Sequence, residues 1–139
     1  MALSRKIKIF IELDQPQRDL NGLLYLMNLI KGQYPSSSIY LVPRDRLFVL
    51  ALHTIPDIVI FSNPLSLFIP FFRIIGSKIV IHENEGIPYD LDNLLISDRG
   101  KHMSFLNKIC VSAYWLWGEE QLNAIMSWKT TLIPKRKLY

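Results

Sequence analysis

The chain has one cysteine in 139 residues, Cys110, so no internal disulfide can form, and such usage favours a reducing compartment. With no second cysteine and no histidine cluster, a structural zinc site is disfavoured. Charge is also sparse. Charged residues make up 20% of the chain and hydrophobic residues 50%, a balance that excludes a disordered polymer and calls for elements buried on more than one side. The net charge is only +4, and the Lys and Arg residues are spread along the chain, with small clusters at Arg5-Lys6-Lys8 and Lys135-Arg136-Lys137. That pattern gives a nucleic-acid partner little support, and a basic surface facing anionic lipid or phosphate fits it as well.

Long apolar runs are missing too. The greasiest stretch, residues 58 to 75, is interrupted by Asn63-Pro64, Pro70 and Arg73 and falls short of the ~20 apolar residues of a spanning helix. The N-terminus is basic, but Lys8, Glu12 and Asp14 leave no secretory apolar core. The expectation is a cytoplasmic protein of one domain, residues 1 to 139, since domains of ~100–150 residues are the commonest size.

Glycine is absent where a dinucleotide would need it. The turn after the first expected strand, Glu12-Leu13-Asp14-Gln15-Pro16-Gln17-Arg18-Asp19, has none before Gly22, and no Gly-x-x-x-x-Gly-Lys-Ser/Thr sequence occurs. NAD, FAD and the common NTPase sites are therefore disfavoured, and no cofactor is expected. A phosphorylation receiver would want aspartate after the third strand and lysine after the fifth. Those places hold Ser62-Asn63 and Gly118-Glu119.

What the chain does contain is an alternation of two periods. Strand patterns at residues 6 to 13, 39 to 42, 58 to 61, 78 to 81 and 109 to 117 alternate with helical stripes at 19 to 33, 44 to 53, 65 to 75, 103 to 108 and 119 to 127. A sixth strand could begin at 130 to 133. The spacing predicts an α/β fold, a Rossmann-like three-layer parallel sheet of five or six strands, with the first strand central and helices on both faces.

The apolar run Ile79-Val80-Ile81 stops at a knot of ionisable groups, His82-Glu83-Asn84-Glu85-Gly86. A buried parallel strand that empties into such a knot marks a site, because open α/β sheets bind ligands beyond the carboxyl ends of their strands. His82 could orient a hydroxyl or take its proton; a hydrogen-bonded structural histidine is the alternative. Glu83 and Glu85 fall on one side of an extended backbone, where one carboxylate could raise the pKa of the other; solvated loop acids are the alternative. Asn84 and Gly86 read as loop formers. Arg18 could contact an anionic or sugar ligand or pair with a neighbouring acid, and Asp19 could cap or open the following helix. Cys110 reads as a small buried hydrophobe. Asp90-Leu91-Asp92 has the form of a metal-binding triplet, though a helix-starting turn explains it better, and no metal is expected.

Four short motifs occur in order: Ile11-Glu12 with Arg18-Asp19-Leu20, then His82-Glu83-Asn84-Glu85-Gly86, then Trp117-Gly118-Glu119-Glu120-Gln121. Over residues 6 to 128 they resemble the N-terminal half of bacterial surface-carbohydrate biosynthesis glycosyltransferases of the GT-B type. The resemblance implies an acceptor-side domain in polysaccharide assembly, with His82, Glu83 and Glu85 as catalytic candidates. Glu12, Arg18, Asp19, Asn84 and Gly86 become substrate-binding candidates. It also implies a carbohydrate or lipid-linked sugar acceptor, and a nucleotide-sugar donor bound by a missing or separate domain, without which this chain would not turn over. The Gly-Asn-Pro-Arg segment the family would carry after its Trp-Gly element is not found here. The apolar helix at 65 to 75 admits shallow contact with the inner face of a membrane as a minority reading. The rival class is a non-catalytic Rossmann-like binding or interaction module.

Overall fold

A computed structural model describes residues 6–63, 66–82 and 105–115. In chain order the elements are β1 (Lys8–Leu13), α1 (Pro16–Gln33), β2 (Ser38–Pro43), a 3-10 turn (Arg44–Arg46), α2 (Leu47–His53), β3 (Ile58–Phe61), α3 (Phe68–Ile74), β4 (Lys78–His82), α4 (Phe105–Cys110) and β5 (Ala113–Trp115). The five strands form one sheet, every pair parallel, in the order β2-β1-β3-β4-β5. The α/β class with a Rossmann-like parallel sheet is thus observed. The centre of the sheet is β3 and not β1, as the spacing had suggested; β1 lies second from one edge. The order reverses direction because α1 carries the chain to one side of β1 and α2 carries it back past β1 to the other.

Side-chain alternation sorts the core into two clusters. Phe10, Val59, Phe61, Ile79, Ile81 and Tyr114 pack with buried residues of α2, α3 and α4. The intervening strand residues Ile9, Ile11 and Ile60 pack with Leu23 of α1. Successive strand residues point to opposite faces of a sheet, so the two sets cannot share a side. β3 and β4 read as unbroken Ile/Val runs because each parity is covered by one of the clusters.

Helix boundaries differ from those read in the sequence for local reasons. α1 begins at Pro16, three residues before the expected start, because proline at the first helical position needs no hydrogen-bond acceptor and has its φ preset. Residues 44 to 53 split into a 3-10 turn and a shorter α-helix. Ile109 and Cys110, expected in the fifth strand, close α4 instead, and β5 occupies only Ala113–Trp115. A short apolar run has no periodicity that distinguishes a buried helix end from a strand. The expected elements at 119 to 127 and 130 to 133 lie outside the described residues. Gly76, between α3 and β4, takes φ 96, which lets the chain turn from helix to strand without a Cβ clash. Among the described residues no helix is long and apolar enough to cross a membrane.

Candidate functional site

The carboxyl ends of β1, β2, β3 and β4 form one rim of the sheet, and Glu12, Asp14, Arg44 and His82 stand along it. Glu12 stands near the end of β1 and is 1% exposed. Its Oε1 accepts from Arg44 Nε at 2.8 Å, while Oε2 accepts from the Ser62 backbone N–H at 2.8 Å and the Ser62 hydroxyl at 2.7 Å. One side chain therefore ties the ends of three adjacent strands. A buried carboxylate is tolerable only when paired and hydrogen-bonded, and these three donors meet that need. Arg44 also reaches Asp14, Nη1 to Oδ1, at 2.9 Å. Burial works against the Arg44 charge. The hydrogen bond and charge of Glu12, with the charge of Asp14, outweigh it and hold the guanidinium above its ordinary pKa.

A second constellation sits on the α1 side. Asp19, in the first turn of α1, is buried and accepts from Arg18 in bidentate fashion, Nε to Oδ1 at 2.6 Å and Nη2 to Oδ2 at 3.1 Å. Its Oδ2 also accepts from the Gln15 backbone N–H at 3.2 Å, so the carboxylate folds back over the helix start and satisfies a donor the helix leaves open. A negative charge at this end of the helix is favoured by the dipole. His82 ends β4, with the same strand parity as Val80 of the α1 cluster, and its ring meets Trp115 edge to face at 5.7 Å and 80°. Arg18, Asp19 and His82 line one hollow of about 340 Å³, completed by Gly22, Leu26 and Leu29 of α1. Its walls combine a few polar groups with an apolar floor, the usual make-up of a small-molecule site.

Of the candidates read from the sequence, Arg18, Asp19 and His82 come together. Glu12 does not line this hollow. It shares the parity of Phe10, which packs with α2 and α3, and its carboxylate is committed to Arg44 and Ser62. Glu83, Asn84, Glu85 and Gly86 lie outside the described residues. Arg44, Ser62 and the α1 wall were not singled out in the sequence. Arg44 and Ser62 had one available signal, their place directly after strands that share a rim. Tyr114 is buried and Trp115 half-buried, and Cys110 joins the main core cluster. Among the described residues no three His, Cys, Asp or Glu side chains gather to hold a metal ion.

The N-terminus of α1 is where a parallel α/β protein would receive a phosphate, and here it carries Asp19 with Asp14 and Glu12 close by on β1 and its turn. Three carboxylates face two guanidiniums, those of Arg18 and Arg44, and Pro16 contributes no N–H. Such a rim is poorly suited to hold a phosphate. Comparison with protein-family models, curated proteins and solved structures finds no match to this chain.

Proposed function

We propose that this chain is the acceptor-side unit of a glycosyltransferase-like protein of surface polysaccharide assembly, holding a hydroxyl-bearing carbohydrate between α1 and the end of β4. The observation that carries the reading is the hollow shared by Arg18, Asp19 and His82, with a histidine at the carboxyl end of a parallel strand and an Arg18–Asp19 bidentate pair in the same lining. In this reading Asp19 holds Arg18 in place to donate to ring or acidic oxygens, and His82, with Glu85 or Glu83 supplied from the following segment, removes the acceptor proton. The acid-rich rim of β1 argues for a donor nucleotide held by a separate unit. Asp19 already covers the helix start that would cradle its phosphates.

The test is a backbone amide NMR titration of the chain with neutral and acidic oligosaccharides and, separately, with nucleotide-sugar donors. Saccharide should shift Arg18, Asp19, Gly22 and His82, with the shifts lost in His82→Ala, and nucleotide should leave them in place. Nucleotide shifting these same amides with equal affinity would make the protein a nucleotide-binding module instead. One observation favours the non-catalytic alternative: Glu12, the most deeply buried acid of the rim among the described residues, is held by three donors and is not open to a substrate. Saccharide binding with no transfer when a donor-binding unit is supplied would establish that second reading.

A further inference from the structure

α2 and α3 cover the sheet with their inner sides and leave apolar side chains on their outer sides. On α3, Leu67, Phe71 and Ile74 follow at i, i+4 and i+7, a single helical stripe. Leu67 is 90% exposed and Ile74 84%, while Phe71 is half-buried between them. On α2, Phe48 and Leu52 repeat the spacing, and Ile55 continues it just past the helix end; Leu52 is 66% exposed and Ile55 56%. The stripes join through the Phe48 and Phe71 rings, with centroids 4.8 Å apart, and Phe48 also stacks on Phe68 at 6.4 Å. α4 extends the surface. Asn107 Nδ2 donates to the Ser66 carbonyl at 3.1 Å, fixing α4 beside the start of α3, and Leu106 and Ile109 are each half exposed.

Among the described residues of α2, α3 and α4, charge has one sign. α2, α3 and α4 contain no Asp or Glu; their only Lys or Arg residues are Arg73 and Lys108. From Leu47 to His82 the chain has a single carboxylate, Asp57, and that one accepts from the Lys8 backbone N–H at 2.9 Å. A soluble surface normally mixes both signs and keeps large apolar side chains scattered. Among the described residues of α2, α3 and α4 no acid accompanies the exposed apolar stripes, and the exposed Arg73 adjoins the stripe of α3.

We propose that the outer face of α2, α3 and α4 seats shallowly in an anionic lipid surface. Leu67, Leu52 and Ile74 enter the boundary of the acyl chains, and Arg73 meets lipid phosphate. The described helices of this face carry no carboxylate to be repelled by such a surface, and that complementarity distinguishes it from a face built for a protein partner of mixed charge. The inference stands apart from the sugar-binding reading, since the hollow at His82 lies on the α1 side of the sheet.

The test is co-sedimentation of the full chain with vesicles of phosphatidylcholine alone and with vesicles also containing phosphatidylglycerol. Binding should appear with phosphatidylglycerol and weaken as salt is raised. Leu67→Glu with Ile74→Glu should lower the partition coefficient by roughly tenfold or more, and Arg73→Gln by about fivefold. Both leucine and isoleucine positions lie outside the core, so the circular dichroism of the double variant should match that of the parent. His82→Ala should bind vesicles normally, which separates this proposal from the acceptor site. Absence of wild-type binding, or equal binding by the folded double variant, overturns it. So does a self-associating chain, seen by sedimentation equilibrium, whose dimer the double variant dissolves without any vesicle binding; that outcome assigns the face to a second copy.

Discussion

Glu12 is the residue on which the rim depends, and its energetics can be separated from its charge. Removing it alone leaves the Arg44 guanidinium and both Ser62 donors facing an apolar gap, the arrangement that makes breaking a buried pair cost about 3–5 kcal/mol. Glu12→Ala should therefore lower the urea midpoint strongly, with the lower half of that range expected because Arg44 is over a third exposed. Replacing both partners, as Glu12→Leu with Arg44→Met, should recover most of the loss, since an apolar pair of similar volume demands no desolvation of charge. Full destabilisation in the double variant would show that the network supports the fold in some way beyond its own pairing. Arg44, with its pKa raised, keeps its charge below and through the ordinary arginine range, and the stability that charge contributes is lost only as pH rises past it. No pH dependence between 5 and 9 should trace to this side chain. The sequence made Glu12 visible as an acid closing an apolar strand. Its partners were not visible, because they lie 32 and 50 residues further along and only the strand order brings them near.

At the scale of elements, α1 combines two tasks that its sequence shows unequally. The apolar stripe that ends in Ile30 predicted the helix, and Pro16 with Asp19 fixes its start. The hollow beside His82 was not legible, because it depends on where the β4 terminus falls against the helix. Gly22 lies on the wall of that hollow, and a Cβ there would meet nothing within 4 Å. Gly22→Ala should therefore stabilise the protein by about 0.5–1 kcal/mol, the ordinary gain of alanine over glycine inside a helix, read as a rise in thermal midpoint. A fall in midpoint would mean that the backbone at Gly22 is held away from helical geometry. The end of α4 and the start of β5 were misjudged for the opposite reason. Ile109, Cys110 and Val111 are uniformly apolar, and only their tertiary setting separates helix from strand.

At the scale of the molecule, the strand order decides which parts open first. β3 is flanked by strands on both sides and contributes Val59 and Phe61 to one cluster and Ile60 to the other. Amide hydrogen exchange should be slowest in β3 and its neighbours β1 and β4, and faster in β2 at the edge. Protection that peaked in β2 would contradict the observed order. Among the described residues the alternation of strand and helix was legible, apart from the boundary between α4 and β5, because the change of period from one element to the next shows in their apolar spacing. The position of β1 was not, since neighbour relations in a parallel sheet depend on which way each crossover turns and hydrophobic periodicity does not record that.

The opposite rim of the sheet is organised around Asp57. Its backbone N–H donates to the Lys8 carbonyl at 2.9 Å, its carboxylate accepts from the Lys8 N–H at 2.9 Å, and its carbonyl accepts from the Lys78 N–H at 2.8 Å. One residue thus sets the alignment of β1, β3 and β4 before any of them reaches the rim that carries Glu12, Arg18 and His82. Inheritance can act on the two rims separately. Substitutions on the carboxyl rim outside the Glu12 network leave the alignment at Asp57 untouched, so the side chains there can change by small steps without resetting the register of the strands.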